Sequence, residues 1–268
     1  MATGRLRYYS LAQMGQVNIT YVLPVDVPEM MVGDNPHYKR PMKTLYLLHG
    51  FSGNESDWQY NGVAEDIAFQ YNLAVIMITT GNNFYLDRKA TGCQFGTFAG
   101  QEVVDFTRKL FGLSDKKEDT LIAGLSMGGF GALHTGLAYP ETFGGIVALS
   151  SALIIHELAA MKPGQNNEMA NYEYYREVFG ELEGIEETEQ NPEYLYKKLK
   201  EAGKPIPPIY MAIGTEDFLY GHNQITRKFF EENGANMKYE EGPGIHDWNF
   251  WNKYIMTGLD WVLKAIEE

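Results

Sequence analysis

The pentapeptide Gly124-Leu125-Ser126-Met127-Gly128 constrains this chain more than any other stretch, because of what flanks it. Before it runs the apolar, strand-like Leu121-Ile122-Ala123, and from about Gly129 the pattern turns helical. A strand that passes into a helix through a single serine forces that serine into a strained conformation. Glycine on both sides removes the Cβ atoms that would collide in so sharp a bend. The Ser126 Oγ is therefore expected to stand above the edge of a sheet, with a helix N-terminus behind it, as a nucleophile.

The rest of the chain supplies such a sheet. Two alternating, β-rich stretches, 6–12 and 17–23, flank Met14-Gly15 and read as an antiparallel pair. Apolar strands and helical patterns then alternate: strand 44–48, helix 63–71, strand 74–79, helix 101–111, strand 120–123, helix 130–138. Further strands are expected at 146–149, 209–213 and 237–241. A closing helix carries Trp248, Trp251, Ile255, Leu259 and Val262 at steps of three or four. Strands separated by helices imply a mostly parallel sheet covered on both faces. An antiparallel start followed by βαβ units is the order of the α/β-hydrolase fold, here one domain spanning 1–268.

Residues 154–208 break that rhythm. No sheet strand is legible there; an acidic run (181–189) and Tyr172, Tyr174, Tyr175, Tyr194 and Tyr196 are. The segment is expected to form a cap over the active site, against the blander reading of surface helices whose tyrosines pack on the body. Exposed aromatics in a cap would serve a subunit interface as readily as a substrate pocket, so a homo-oligomer is also among the expectations.

Composition excludes several partners. With 44% apolar and 21% charged residues among 268, the chain is an ordinary globular protein with a sizeable core. A formal charge of −13 repels nucleic acid and anionic membrane alike, and no basic cluster offsets it, so neither is expected. The opening Met1-Ala2-Thr3-Gly4-Arg5-Leu6-Arg7 lacks the apolar core of a secretory signal, and no stretch reaches the roughly 18 apolar residues of a membrane span. A cytoplasmic location is the expectation. Cys93 is the single cysteine, which excludes an intrachain disulfide and a cysteine metal cluster.

A serine hydroxyl is a poor nucleophile until a base takes its proton, and the base is normally a histidine oriented by a carboxylate. In the expected fold the order along the chain is serine, acid, histidine. Two histidines lie far enough downstream, His222 and His246. His246 hangs in the Gly/Pro-rich loop Gly242-Pro243-Gly244-Ile245 after the last strand, whereas His222 opens a helical stretch and reads as a solvated neighbour of its cap. His246 is the favoured base. For the acid, Glu216 and Asp217 both follow strand 209–213, at the edge where open α/β sheets hold ligands; Asp247 is too close in sequence to reach the far side of the ring. Straight after strand 44–48 comes His49-Gly50-Phe51-Ser52-Gly53. Its Phe51 N–H, together with the Met127 N–H, is expected to form an oxyanion hole, with His49 holding the loop rather than acting as a base. Trp58, Phe84 and Tyr85 are candidates to line the acyl or aromatic pocket.

These motifs carry a resemblance. His-Gly-Phe-Ser-Gly-Asn-x-x-Asp-Trp at 49–58 and Gly-Leu-Ser-Met-Gly-Gly-Phe-Gly-Ala at 124–132 resemble the tributyrin esterase and esterase D group of hydrolases. Tyr139-Pro140-Glu141-x-Phe143, Gly214-Thr215-Glu216-Asp217 and Gly244-Ile245-His246-Asp247-Trp248 extend the match over nearly the whole chain. Relatives in that group include short-chain acyl, acetyl xylan and feruloyl esterases, S-formylglutathione hydrolases and mycolyltransferases. The resemblance implies Ser126 as nucleophile, His246 as base, Asp217 rather than Glu216 as acid, and Phe51 and Met127 as oxyanion donors. Tyr85-Leu86-Asp87 also fits the group's pattern, whereas 88–97 departs from it.

The expected function is thus a serine carboxylic-ester hydrolase working through an acyl-enzyme on short-chain acyl, acetyl or feruloyl esters, carbohydrate-linked or phenolic. It requires no metal and no cofactor. An S-formylglutathione hydrolase-like thioesterase is the first alternative, and a non-catalytic binding module of the same fold the second. Acyl transfer in place of hydrolysis depends on water exclusion, which residue types do not reveal.

Overall fold

The computed structural model describes residues 1–267. We number the sheet strands and the helices of six residues or more. The chain begins with a hairpin, β1 (Ala2–Ser10) and β2 (Gly15–Leu23), paired antiparallel from Ala2↔Leu23 to Ser10↔Gly15. There follow β3 (Lys43–Leu48), α1 (Ala64–Tyr71), β4 (Leu73–Ile78), α2 (Val103–Phe111), β5 (Thr120–Leu125), α3 (Met127–Ala138) and β6 (Gly145–Leu149). Then come α4 (Ile155–Ala160), α5 (Tyr172–Phe179), α6 (Pro192–Glu201), β7 (Ile209–Gly214), α7 (Tyr220–Glu232), β8 (Met237–Gly242) and α8 (Trp248–Glu267). The eight strands form one sheet in the order β1-β2-β4-β3-β5-β6-β7-β8. It is antiparallel as far as the β2–β4 pair and parallel from β4 onward. This is the α/β-hydrolase fold.

Strands β3 to β7 are buried along their whole length, which is why they read as continuous apolar runs rather than alternating ones. Alternate side chains serve opposite faces. Tyr46, Leu48, Ile122 and Ile146 join a core with Val103, Phe130 and Leu133, beneath α2 and α3. Leu45, Leu47, Leu121 and Val147 join a second core with Ile67, Ile255 and Leu259, beneath α1 and α8.

The elements agree with their sequence expectations to within a few residues, with one systematic difference: α3 starts at Met127, directly after the serine, not at 130. Gly128 and Gly129 misled the helical reading because they are poor helix formers in isolation, yet here they let the helix settle onto the sheet. Ahead of α2 the chain is already helical from Phe95, through a π-helical turn at Phe98–Glu102.

Residues 154–208 lie between β6 and β7 and hold α4, α5 and α6. Tyr172, Tyr175 and Tyr196 share the core of Phe130 and Leu133, so most of the tyrosine-rich face packs on the body. The His134 ring on α3 stacks on Phe130 and donates its Nε2–H to the Glu189 carbonyl at 2.8 Å, pinning the segment from below. Burial pushes its pKa down to about 4 and keeps it neutral.

Candidate active site

Numerical neighbours diverge between β3 and β5: β4 lies on one side of β3, and β5 to β8 run off on the other. A crevice opens at such a switch point, at the carboxyl ends of the parallel strands. The loops after β3, β5, β7 and β8 all leave the sheet at this edge. They carry His49–Gly53, Ser126, Asp217 and His246.

Ser126 follows β5 at φ 57° and ψ −120°, a conformation that costs a non-glycine residue roughly 1–3 kcal/mol. Hydrogen bonds from both sides hold it there. Its N–H donates to the Leu149 carbonyl at 2.9 Å, and its own carbonyl accepts from Phe130 and Ala152 at 3.1 and 2.9 Å. The flanking glycines are needed for space. A Cβ on Gly124 would lie 2.2 Å from the Gly128 carbonyl oxygen, and one on Gly128 2.4 Å from that of Leu48.

Asp217 follows β7 with its side chain fully buried. One carboxylate oxygen accepts the Leu219 N–H at 2.9 Å, and the other accepts from His246 Nδ1 at 2.8 Å. Nδ1 therefore carries a proton, which leaves Nε2 as an acceptor. The ring is edge-on to Trp251 at 4.9 Å and tilted against Phe218 at 4.6 Å; Trp251 is itself fixed by its Nε1–H on Ser150 Oγ at 3.0 Å. The neighbouring carboxylates have other partners. Glu216 accepts the Gly244 N–H at 2.6 Å, and that bond, helped by Thr215, holds its carboxyl below the usual range. Asp247 accepts the Phe250 N–H at 3.0 Å at the start of α8, which depresses its carboxyl likewise.

In the loop after β3, His49 accepts the Thr80 N–H on Nε2 at 3.2 Å, so its Nδ1–H is the one that donates to the Gly50 carbonyl at 2.7 Å. The ring is buried and neutral, its pKa pushed down by burial, and both nitrogens are used. Ser52 N–H goes to Asn82 Oδ1 at 2.7 Å and Gly53 N–H to the Gly50 carbonyl at 3.1 Å. The Phe51 N–H has no protein acceptor among the described residues, and the Met127 N–H, first of α3, has no intrahelical one. The loop is also tied to the 154–208 segment: Tyr174 donates to the Asn82 carbonyl at 2.8 Å, and its ring meets Phe51 edge-on.

Ser126, Met127, Phe51 and Phe84 lie in one cleft of about 520 Å³, walled on the far side by Ile154, Glu157, Asn167, Glu168, Met169 and Tyr175, and by Phe218 and His222 near β7. Phe84 is where the sequence reading places it. Trp58 and Tyr85 are not, and the expectation that they line the pocket is corrected. Trp58 is buried under the second core with its Nε1–H on the Leu48 carbonyl at 3.0 Å. Tyr85 is fully buried and donates its hydroxyl to the His49 carbonyl at 3.0 Å. Both aromatics support the loop after β3 from behind. His222 is likewise more than a cap neighbour: it sits in the cleft wall, 3.4 Å from Glu157. Glu157 and His222 come from helices far apart in sequence, and no local spacing announces their meeting. Among the described residues, no group of three or more His, Cys, Asp or Glu could hold a metal ion, and no helix is long and apolar enough to cross a membrane.

Residues 27–262 match the family described as "Putative esterase". Over 265 residues, 99% of each chain, the sequence is 42% identical to an acetyl esterase of Caldicellulosiruptor saccharolyticus. Among solved structures, the fluorophosphonate-binding serine hydrolase FphF of Staphylococcus aureus, with substrate bound, superposes with a TM-score of 0.83 at 30% identity, covering 98% of both chains. An S-formylglutathione hydrolase from the same organism, FrmB, superposes at 0.80 with 29% identity, again over 98% of both.

Proposed function

The chain belongs to the esterase family and is a serine ester hydrolase; from that premise we propose that Ser126, His246 and Asp217 are its catalytic triad and short acyl esters, acetyl foremost, its substrates. Ser126 Oγ attacks the ester carbonyl while His246 Nε2 takes its proton, and Asp217 keeps Nδ1–H in place and stabilises the imidazolium. The oxyanion that forms is received by the Phe51 and Met127 N–H groups. His246 returns the proton to the departing alcohol, leaving an acyl-Ser126, and then deprotonates the water that releases the acid. No step calls for a metal or cofactor.

One observation carries this reading. The 2.8 Å bond from His246 to a fully buried carboxylate leaves Nε2 as a base at the sheet edge that presents a strained serine. Support for acetyl esters comes from the 42% identical acetyl esterase, matched end to end. The aromatic walls Phe51, Phe84 and Phe218 suit a phenolic ester as well.

The thioesterase alternative draws on the likeness to FrmB. Glu157 and Glu168 in the cleft wall, and the net charge of −13, disfavour the carboxylates of glutathione. The test is the initial hydrolysis rate across p-nitrophenyl acetate, butyrate and octanoate, a feruloyl ester and S-formylglutathione, with Ser126→Ala alongside. The proposal expects serine-dependent turnover that falls with acyl length. Faster turnover of the glutathione thioester than of any oxygen ester would replace it with the thioesterase.

A further inference from the structure

The cleft holds a second histidine–carboxylate couple that the triad does not use. His222 Nε2 faces Glu157 Oε2 at 3.4 Å, from α7 and α4 respectively. Glu157 is aimed from behind. Its Oε1 accepts the Asn167 amide N–H at 2.8 Å, and Asn167 Oδ1 accepts the Tyr175 hydroxyl at 3.0 Å and the N–H groups of Met169 and Ala170 at 3.0 and 2.9 Å. With Oδ1 taking three donors, the amide has only one orientation, and its N–H points at the carboxylate. Tyr175, at the root of this chain, is buried in the core.

A couple built only to hold helices together would saturate its polar atoms. This one does not. His222 Nδ1 has no protein partner among the described residues, and the two side chains remain 27% and 36% exposed in the wall of the cleft that contains Ser126. Phe218, 62% exposed, lies in the same wall and offers an apolar face.

We infer that Glu157 and His222 are specificity-determining residues that read a hydroxyl on the ester. The inference rests on the serine-esterase reading of the same cleft. A carboxylate accepts from a hydroxyl, and an imidazole both donates and accepts, so the couple satisfies a hydroxyl in both directions. An ammonium could donate to Glu157 and to the bare imidazole nitrogen but would leave the imidazole N–H unmatched, whereas a hydroxyl meets donor and acceptor together. A carboxylate or phosphate would be repelled by Glu157 and Glu168. The hydroxyl belongs either to the alcohol or to the acyl half of the ester, and paired substrates separate the two.

The experiment compares kcat/KM for glycerol 1-acetate with propyl acetate, and for ethyl 3-hydroxybutyrate with ethyl butyrate, with Ser126→Ala as background. Wild type is expected to favour the hydroxylated member of one pair, and the pair it favours identifies the half that is read. His222→Phe and Glu157→Gln should each lower that preference about tenfold, chiefly through KM. His222→Asn should restore part of it. Tyr175→Phe, which removes one of the three donors that orient the Asn167 amide behind Glu157, should give a smaller loss in the same direction. A ratio that stays constant in all these variants, or a wild type with no preference in either pair, overturns the inference while Ser126-dependent turnover keeps the esterase reading intact. Turnover no greater than that of Ser126→Ala overturns both.

Discussion

Two histidine–carboxylate pairs, one in the cleft wall and one behind Phe218 of that wall, are built in opposite ways. Asp217 and His246 hang from the ends of β7 and β8, strands paired from Ile209↔Met237 to Gly214↔Gly242, and the carboxylate has no exposed surface. Their bond is 2.8 Å, and the surrounding loops are cross-tied by Glu216 to Gly244. Glu157 and His222 sit on two helices that no sheet hydrogen bonds connect; they are 3.4 Å apart and about a third exposed. The first pair is anchored on paired strands with its carboxylate shielded from water, which suits an acid–base step. The second is wet and adjustable, which suits a group that must meet substrates and release them. A histidine beside a carboxylate is therefore not a functional signature by itself; the element that carries it decides what it can do.

The largest effect that would break this contrast lies at the rigid pair. Ser126→Ala and His246→Ala are each expected to lower kcat for p-nitrophenyl acetate by about 10⁴–10⁶, with folding unchanged by circular dichroism. Asp217→Asn should cost about 10³–10⁴, because the amide cannot hold Nδ1–H. Glu216→Gln should cost tenfold or less, as its neutral amide oxygen still accepts the Gly244 N–H. Equal losses at 216 and 217 would mean that the acid has been assigned wrongly.

A smaller effect tests the loop after β3. Asn82→Ala removes the acceptor of the Ser52 N–H, next to the Phe51 donor. We expect a fall of about tenfold in kcat with KM little changed, short of the 10²–10³ typical of losing an oxyanion donor outright. A change in KM alone would assign Asn82 to substrate binding.

The smallest effect concerns stability, at a third histidine. His156 on α4 is bonded to Glu193 on α6 and to Glu186, and these partners outweigh burial and raise its pKa to about 9. A folded pKa above the unfolded value of about 6.5 means that the contribution is complete below pH 6.5 and fades as pH rises through 9. The site is part-exposed, so solvent screening limits the gain to about 1 kcal/mol, or roughly 2–4 °C in Tm. Thermal melts at pH 6 and 9.5 should differ by that much more in wild type than in His156→Asn. A wild-type Tm that rises over this interval relative to the variant contradicts the assignment.

Legibility in the sequence followed locality. Ser126, His49–Gly53, Asp217 and His246 each sit in a short motif whose backbone geometry is set by neighbours in the chain, glycine above all, so their positions at one sheet edge follow from the strand pattern. The choice of Asp217 over Glu216, by contrast, needed the family resemblance. Trp58 and Tyr85 were misplaced because an aromatic beside a loop looks the same in sequence whether it faces the cleft or the core. What decides is a distant acceptor, the Leu48 carbonyl for one and the His49 carbonyl for the other. The meeting of Glu157, Asn167 and His222 was not legible for the related reason that their contacts join α4, the loop before α5, and α7, with no periodicity to betray them; His222 on its own read as a cap neighbour. The tyrosines of 154–208 divide between both readings: Tyr172 and Tyr196 pack on the body, and Tyr175 reaches core and cleft together.

The most direct test of the central claim is intact-mass and peptide analysis after treatment with a fluorophosphonate probe. A single adduct on Ser126 is expected, lost in Ser126→Ala and formed far more slowly in His246→Ala. Labelling of another residue, or an unchanged labelling rate in His246→Ala, would contradict it.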